Sequence, residues 1–516
     1  MTRFTKKDFL EQATVAIWKT GATEYFETAP YHPDEAYPEY PFGVDTISTG
    51  VKNPAYSGVR EVLHTLGFDA QNYGTKNWNP LSDIIAKGNT VVIKPNAVWD
   101  KNLNRAASSF ASITHGSVMR ALVDYAYIAL GGTGRIVIAD APIIPSNFDN
   151  WRKITGMDEM IALYKKEKNF DLEVYDLRTL IAPWDAKSGY SPSSLREIKE
   201  RDPAGYREID LRGSSEFAKL TEKQCSLFYG ADYDNQHTVR NHTGGAHRYK
   251  VAQTFLNADV IISVPKLKTH MKVGATLNIK SMVGTQGDKN YIPHCRIGDP
   301  SRGGDEYPDL GMFQNALNRF RMWGELHVLS HENKLADTIY RWFLRPIQYY
   351  GQGVADRIGR KKCGKDYIGN INGGSWYGND TAWRMSLDLI RIILYSDRQG
   401  ALQNTPQRIF LALTDGIIAG EAEGPLRPSD KRVGTLIGSL NPLAADAVSV
   451  TYMGFDADKM ATLRVGLKRS WLKRWKGNLD AIPVKSNDPS YVSVDGIRKN
   501  HANFIPQRGW RGHIEL

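Results

Sequence analysis

Four short apolar runs, each stopped by a charged or amide side chain, most limit what this chain folds into. Thr90–Ile93 stops at Lys94, Pro95 and Asn96, and Arg135–Ala139 stops at Asp140. Asp259–Val264 stops at Pro265, ahead of Lys266, Lys268 and His270, and Arg408–Leu413 stops at Thr414 and Asp415. Runs this short, β-branched and sharply ended read as buried strands. Between the first two, Val118, Leu122, Ala126, Ala129 and Leu130 recur at helical spacing, and Gly131 and Gly132 follow as a stop. Strand, helix and strand in that order make a βαβ unit with a parallel pair. The predicted class is α/β: a doubly wound, mainly parallel sheet with large helical and loop insertions.

The rest of the chain is divided around those runs. Residues 1–88 read as an N-terminal extension packed on the core, and 89–150 as the first α/β part. Residues 151–235, with a strand at Leu172–Tyr175, read as an insertion or cap. Residues 236–309 form a second α/β part with a basic loop and a short helix at Thr276–Met282. Residues 310–400 read as a helical insertion, with helical spacing over Glu325–Tyr350 and Ala382–Leu394. Residues 401–460 are the C-terminal α/β part, in which an apolar run, Thr435–Ser439, leads to a helix over Leu443–Met453. Residues 461–516 are a basic extension.

Composition narrows the function classes. The net charge of +10 over 516 residues is mild and suits anionic partners in general. Nucleic acid rests on charge alone and is disfavoured. The three cysteines, Cys225, Cys295 and Cys363, cannot build a four-cysteine zinc site or iron–sulfur cluster within one chain. The N-terminal run has no signal-peptide core and no stretch is apolar enough to span a bilayer, so the expected location is cytoplasmic. There is no Walker loop and no G-x-G-x-x-G after a strand.

In parallel α/β sheets, ligands bind beyond the carboxyl ends of the strands. Those ends supply Lys94 and Asn96, then Asp140, then Lys266, Lys268 and His270, then Asp415 with Glu421 and Glu423 behind it. In an extended stretch, Lys266, Lys268 and His270 point to one side. Two ammonium groups and an imidazole on one face suit an anion, with His270 as proton carrier. The catalytic candidates are therefore His270, Lys268 and Asp415. The anion-binding candidates are Lys94, Asn96, His115, Lys266, Lys280, His294 and Arg296. Asp140, Glu423, Asp305 and Glu306 are candidate ligands for a divalent metal through hard oxygens. Thr114 or Ser117 is the expected cap of the first helix. His237, His242 and His247 match no metal spacing and read as a polar-packed loop, and Asp446 reads as an acid at a helix start.

Two stretches suggest surface partners: Lys468–Lys476, with Trp471 and Trp475, and the aromatic Arg341–Tyr350. Both would suit the headgroups of an anionic membrane or a homo-oligomer contact.

The ordered set VVIKPN (91–96), THGSV (114–118), IADAP (138–142), NADVIISVPKLKTH (257–270) and TLNIKSMVG (276–284) resembles the domain of unknown function 362 family. So do PHCRIGDPSRGGDEYP (293–308), GGSWYGNDTAWR (373–384), DGIIAGEAEGP (415–425) and NPLAADAVSVTYMGF (441–455). The resemblance spans about residues 89–458. It implies no defined activity. Members with a ferredoxin-type cysteine cluster carry an iron–sulfur label, which the cysteine count excludes here. Long members resemble those of bacterial polysaccharide and specialised-metabolite biosynthesis, implying an anionic sugar or amino-acid substrate. The plan is also similar, at fold level only, to nickel-dependent lactate racemases.

The expected function is an enzyme acting by acid/base chemistry on a small anionic metabolite: phosphorylated, carboxylated or nucleotide-sugar-like. The alternative is a non-catalytic binding or scaffold protein, docked on membrane through Trp471 and Trp475 or held in a biosynthetic complex.

Overall fold

The computed structural model describes residues 3–182, 196–198, 201–230, 234–308 and 373–516, with scattered single positions between 316 and 357. Its centre is a ten-stranded sheet. In chain order the strands are β1 (Val15–Lys19), β2 (Thr90–Pro95), β3 (Arg135–Asp140), β4 (Leu172–Asp176) and β5 (Val260–Val264). They continue with β6 (Lys266–His270), β7 (Gly274–Thr276), β8 (Ile409–Glu421), β9 (Ser429–Ser439) and β10 (Val484–Ser486). The spatial order is β10-β1-β9-β8-β5-β2-β3-β4, with β6 pairing both β7 and β8.

From β8 to β4 every neighbouring pair is parallel. Ile93 lies between Ile262 and Ile138 in register. These strands are covered on both faces, which is why they read as unbroken apolar runs and not as alternation. The α/β, mainly parallel class is borne out, with antiparallel pairing of β8 with β9 and of β9 with β1.

Helix α1 (Pro54–Thr65) packs on α2 (Gly116–Leu130), the crossover between β2 and β3. The cap of α2 differs from expectation: Nδ1 of His115 accepts from Ser117 N–H, and Gly131 ends the helix at φ +60°. Thr114 instead ties strand ends, donating to Val264 O at 2.6 Å and accepting from Asn96 N at 2.8 Å. A single short turn, α3 (Asn278–Ser281), follows β7. Helix α4 (Ala382–Tyr395) matches the expected helix there. Helix α5 (Pro442–Met453) is buried on all sides and capped by Asn441, whose Oδ1 accepts from Leu443 N and Ala444 N.

Three readings are corrected. The fourth run does not end at Leu413, because β8 continues through Asp415 to Glu421. The run at Thr435 begins earlier, at Ser429, as the antiparallel partner of β8. The terminal segments are not appendages, since residues 1–88 supply β1 and 461–516 supply β10 to the same sheet, while 151–235 supply its edge strand β4. Cys363 and most of Glu325–Tyr350, including Arg341, lie outside the described residues.

Candidate active site

Beyond the carboxyl ends of β2 and β3 lies a cavity of about 100 Å³. Its floor is an ion pair: Lys94 Nζ donates to Asp140 Oδ1 at 2.9 Å, with both side chains buried. Asp140 also accepts from Ala97 N and Ala141 N, both within 2.9 Å, and so takes three donors in all. Gly284 makes this packing feasible. A Cβ there would lie 1.7 Å from Asp140 Oδ1 and 2.6 Å from Lys94 Nζ.

The walls carry three more lysines, Lys268, Lys280 and Lys289. Lys268 Nζ donates to Ser112 O, and Lys289 Nζ to Val283 O at 2.9 Å. Lys280 has no hydrogen-bond partner among the described residues. Burial and neighbouring lysines push Lys280 and Lys289 each from 10.5 to about 7, and push Lys268 far down. Lys280 is placed by α3, whose first N–H groups are gripped by Asp446. Its carboxylate accepts from Asn278 N and Ile279 N, both at 2.9 Å, and from Asn278 Nδ2 at 2.8 Å. Burial pushes Asp446 up to about 7. Its role is thus structural, though it holds a helix other than its own.

Two histidines face this cationic wall, and their fixed hydrogen bonds give them different tautomers. His270 Nδ1 accepts from Lys272 N–H at 3.0 Å, so the proton of the neutral ring sits on Nε2. His294 Nδ1 lies 2.9 Å from Ile292 O, which only accepts, so Nδ1 carries the proton and Nε2 keeps a lone pair. Burial, then Lys280, holds both rings well below 6.5, and both are neutral at pH 7. Asn96 Oδ1, Thr276 Oγ1 and Ser281 Oγ also line the cavity, buried and without a partner among the described residues.

The expected site residues separate into three places. Lys94, Asn96, Asp140, Lys268, His270, Lys280 and His294 meet at the cavity. Lys266, Asp415 and His115 do not. Lys266 Nζ binds Asp415 Oδ2 at 2.6 Å with both side chains 0% exposed. Tyr25 OH donates to Asp415 Oδ1, its ring stacks on His115 at 4.0 Å, and His115 N–H donates to Asp415 Oδ2. Asp415 is therefore a sealed counter-ion and cannot orient His270. The expected single face fails because pairing with β8 slips between Lys266 and Lys268, which face Asp415 and Gly420.

The third place is the glycine-rich loop. Arg296 is spent on Asp380 Oδ2 at 3.1 Å and on Gly303 O, which corrects its reading as an anion contact. Asp305 accepts from Arg296 N, Asp380 N and Thr381 Oγ1, and Glu306 accepts from Gly298 N and Gly373 N. Glu423 pairs with Arg508 at 2.9 Å. The four metal candidates are thus dispersed, and among the described residues no three His, Cys, Asp or Glu side chains converge. His242 and His247 pack with Phe217 in an aromatic cluster, in keeping with a packed loop. Trp475 is buried, and Trp471, partly exposed, packs edge-on against Tyr395. Among the described residues no helix is long and apolar enough to cross a membrane.

Lys289, Gly284 and Tyr25 were not anticipated. Lys289 follows no strand and lies four residues before the segment 293–308. Tyr25 lies in the aromatic N-terminal region, where no pattern marks it.

Residues 213–451 match the model of a domain of unknown function, DUF362. No curated protein and no solved structure matches the chain. The match is narrower than the span of resemblance. It contains Lys268, His270, Lys280, Lys289 and His294, while Lys94, Asn96 and Asp140 come from outside it.

Proposed function

We propose, from the site, an enzyme that abstracts a proton from a small anionic metabolite; the DUF362 model that residues 213–451 match specifies no chemistry. The observation that carries this reading is the pair of neutral imidazoles of opposite tautomer at one lysine-lined cavity. His294 offers a lone pair as general base. His270 offers Nε2–H to an oxygen on which charge develops, and a neutral imidazole suffices for that hydrogen bond. The lysines bind the anionic group and favour an enolate-like intermediate. Abstraction of a proton α to a carbonyl is the reaction class that uses all three parts.

Anion binding also aids the base. A negative ligand offsets the repulsion from Lys280 and Lys272 that holds His294 down. Asn96 and Ser281 remain for a hydroxyl of the substrate.

The test is deuterium incorporation. The protein is incubated in D₂O with a pool of phosphorylated and carboxylated metabolites, and the pool is read by mass spectrometry. At least one compound should gain a deuteron with the parent protein, and His294→Gln should slow the exchange by about 10²–10⁴-fold. No incorporation, or incorporation unchanged in His294→Gln, would refute the proposal.

A further inference from the structure

The lysine count around the cavity exceeds what one negative charge would balance. Lys94 is matched by Asp140, and nearby Lys266 by Asp415. Arg178 beyond Lys289 is matched by Asp176 at 2.7 Å. Three cavity lysines remain without a carboxylate among the described residues, Lys268, Lys280 and Lys289. Their partners within the described residues are at most a backbone carbonyl each. Lys272, the next cation outward, donates to Gly373 O. His270 and His294 are neutral. Buried charge without a counter-charge is costly, so such a group either loses its proton or takes a partner.

Resting on the reading of the cavity as an anion site, we propose that its ligand carries a dianionic tetrahedral head, as a phosphate monoester does, and that binding draws protons onto Lys280 and Lys289. A carboxylate brings one charge and would balance only one of the two protons that Lys280 and Lys289 can regain. Its planar oxygens also reach fewer donors than a tetrahedral head meets from four directions. The available donors are the three lysines and Thr276 Oγ1. Among the described residues lining the cavity only one carboxylate, that of Asp140, opposes them, and it already takes three donors. The volume agrees. A cavity of about 100 Å³ admits one such head, and Val98, Ile143 and Pro425, all partly exposed, line its apolar side.

Proton uptake follows from the empty state. Burial holds Lys280 and Lys289 near 7, so above that pH both are mostly neutral before the ligand arrives. The groups facing them are Lys94 and Asp140 from β2 and β3, Lys268 and His270 from β6, Lys272 after it, His294, and Arg178 with Asp176. A dianion among them restores both protons.

Sulfate is the probe, because it stays a dianion throughout the neutral range. Isothermal titration at pH 8 in buffers of different ionisation enthalpy should show sulfate and methylphosphonate binding at least tenfold tighter than acetate or nitrate. Between one and two protons, about, should be taken up per sulfate. Affinity should fall about tenfold or more between pH 7 and pH 9. Lys280→Met should lose at least tenfold in sulfate affinity and about half of the proton uptake. Lys289→Met serves as the second variant, with circular dichroism confirming that each folds. If acetate binds as tightly as sulfate, or sulfate binds without proton uptake, the dianion assignment is overturned while the anion-site reading stands. If none of the four anions binds the folded parent protein, the anion-site reading itself fails.

Discussion

Replacing Lys280 by methionine in the anion-free protein should stabilise it, although the residue lies at the heart of the site. Methionine keeps an unbranched stem of similar volume and removes the ammonium. In the unfolded chain the lysine proton dissociates near 10.5, while in the folded protein it dissociates near 7. Between those values the unfolded state holds more protons, so native stability rises with pH across the window and the penalty is full below about 7. At 1.36 kcal/mol per decade of proton affinity, the penalty at pH 7 is about 4 kcal/mol. Solvent reaching the amine through the cavity lowers that ceiling, and about 2–4 kcal/mol is expected. Urea unfolding in buffers free of polyvalent anions provides the assay. The variant should unfold at higher urea than the parent at pH 6.5, with the gap closing by pH 10. Added sulfate should stabilise the parent more than the variant. A variant less stable than its parent at pH 6.5, or a gap that ignores pH, would refute the picture of an uncompensated buried ammonium.

Gly284→Ala would place a methyl on the Lys94–Asp140 pair. It should cost at least about 2 kcal/mol in urea unfolding and weaken sulfate binding in the same titration. Asp415→Asn leaves Lys266 buried without a counter-charge and should cost about 3–5 kcal/mol, yet sulfate affinity should change less than threefold, since this pair lies apart from the cavity. Trp475→Ala should cost about 3–5 kcal/mol as a core truncation and leave co-sedimentation with anionic vesicles unchanged. Lost sedimentation in a folded variant would favour the membrane-docked alternative.

The parallel centre was legible because its strands are buried on both faces, which writes them as short apolar runs. The helix α2 was legible through its spacing and Gly131. The extent of β8 was not legible, because Thr414-Asp415-Gly416 looks like a turn. Asp415 stays in the strand because Lys266, Tyr25 and the His115 N–H satisfy its carboxylate. Gly416 fits because Leu267 and Thr435 O already occupy the place of a side chain, each within 2.9 Å of its missing Cβ. The same distant pairing divided the candidate site. Period-two reasoning placed Lys266 beside Lys268, and the slip against β8 separated them. Lys94, Asp140, Lys268 and His270 were found because strand ends of a parallel sheet share one crevice. Lys289 was missed because it reaches the crevice from a loop. The opposite tautomers of His270 and His294 depend on one backbone N–H and one carbonyl, which no side-chain pattern encodes.

The sealed pair of Lys266 with Asp415 has a consequence for the order in which the protein is made. Its partners are 149 residues apart, and Tyr25 lies 390 residues from the same carboxylate. Strand β5 sits in space between β2, made long before it, and β8, made long after. A ribosome that has reached residue 400 has delivered every lysine and histidine of the cavity but not the strand that closes its sheet. Until β8 emerges, β5 presents an open edge and Lys266 stays in water, since burying it alone would be costly. The nascent chain therefore holds every lysine and histidine of the site on an unfinished scaffold, and closure of loops this long is the step expected to set its folding rate.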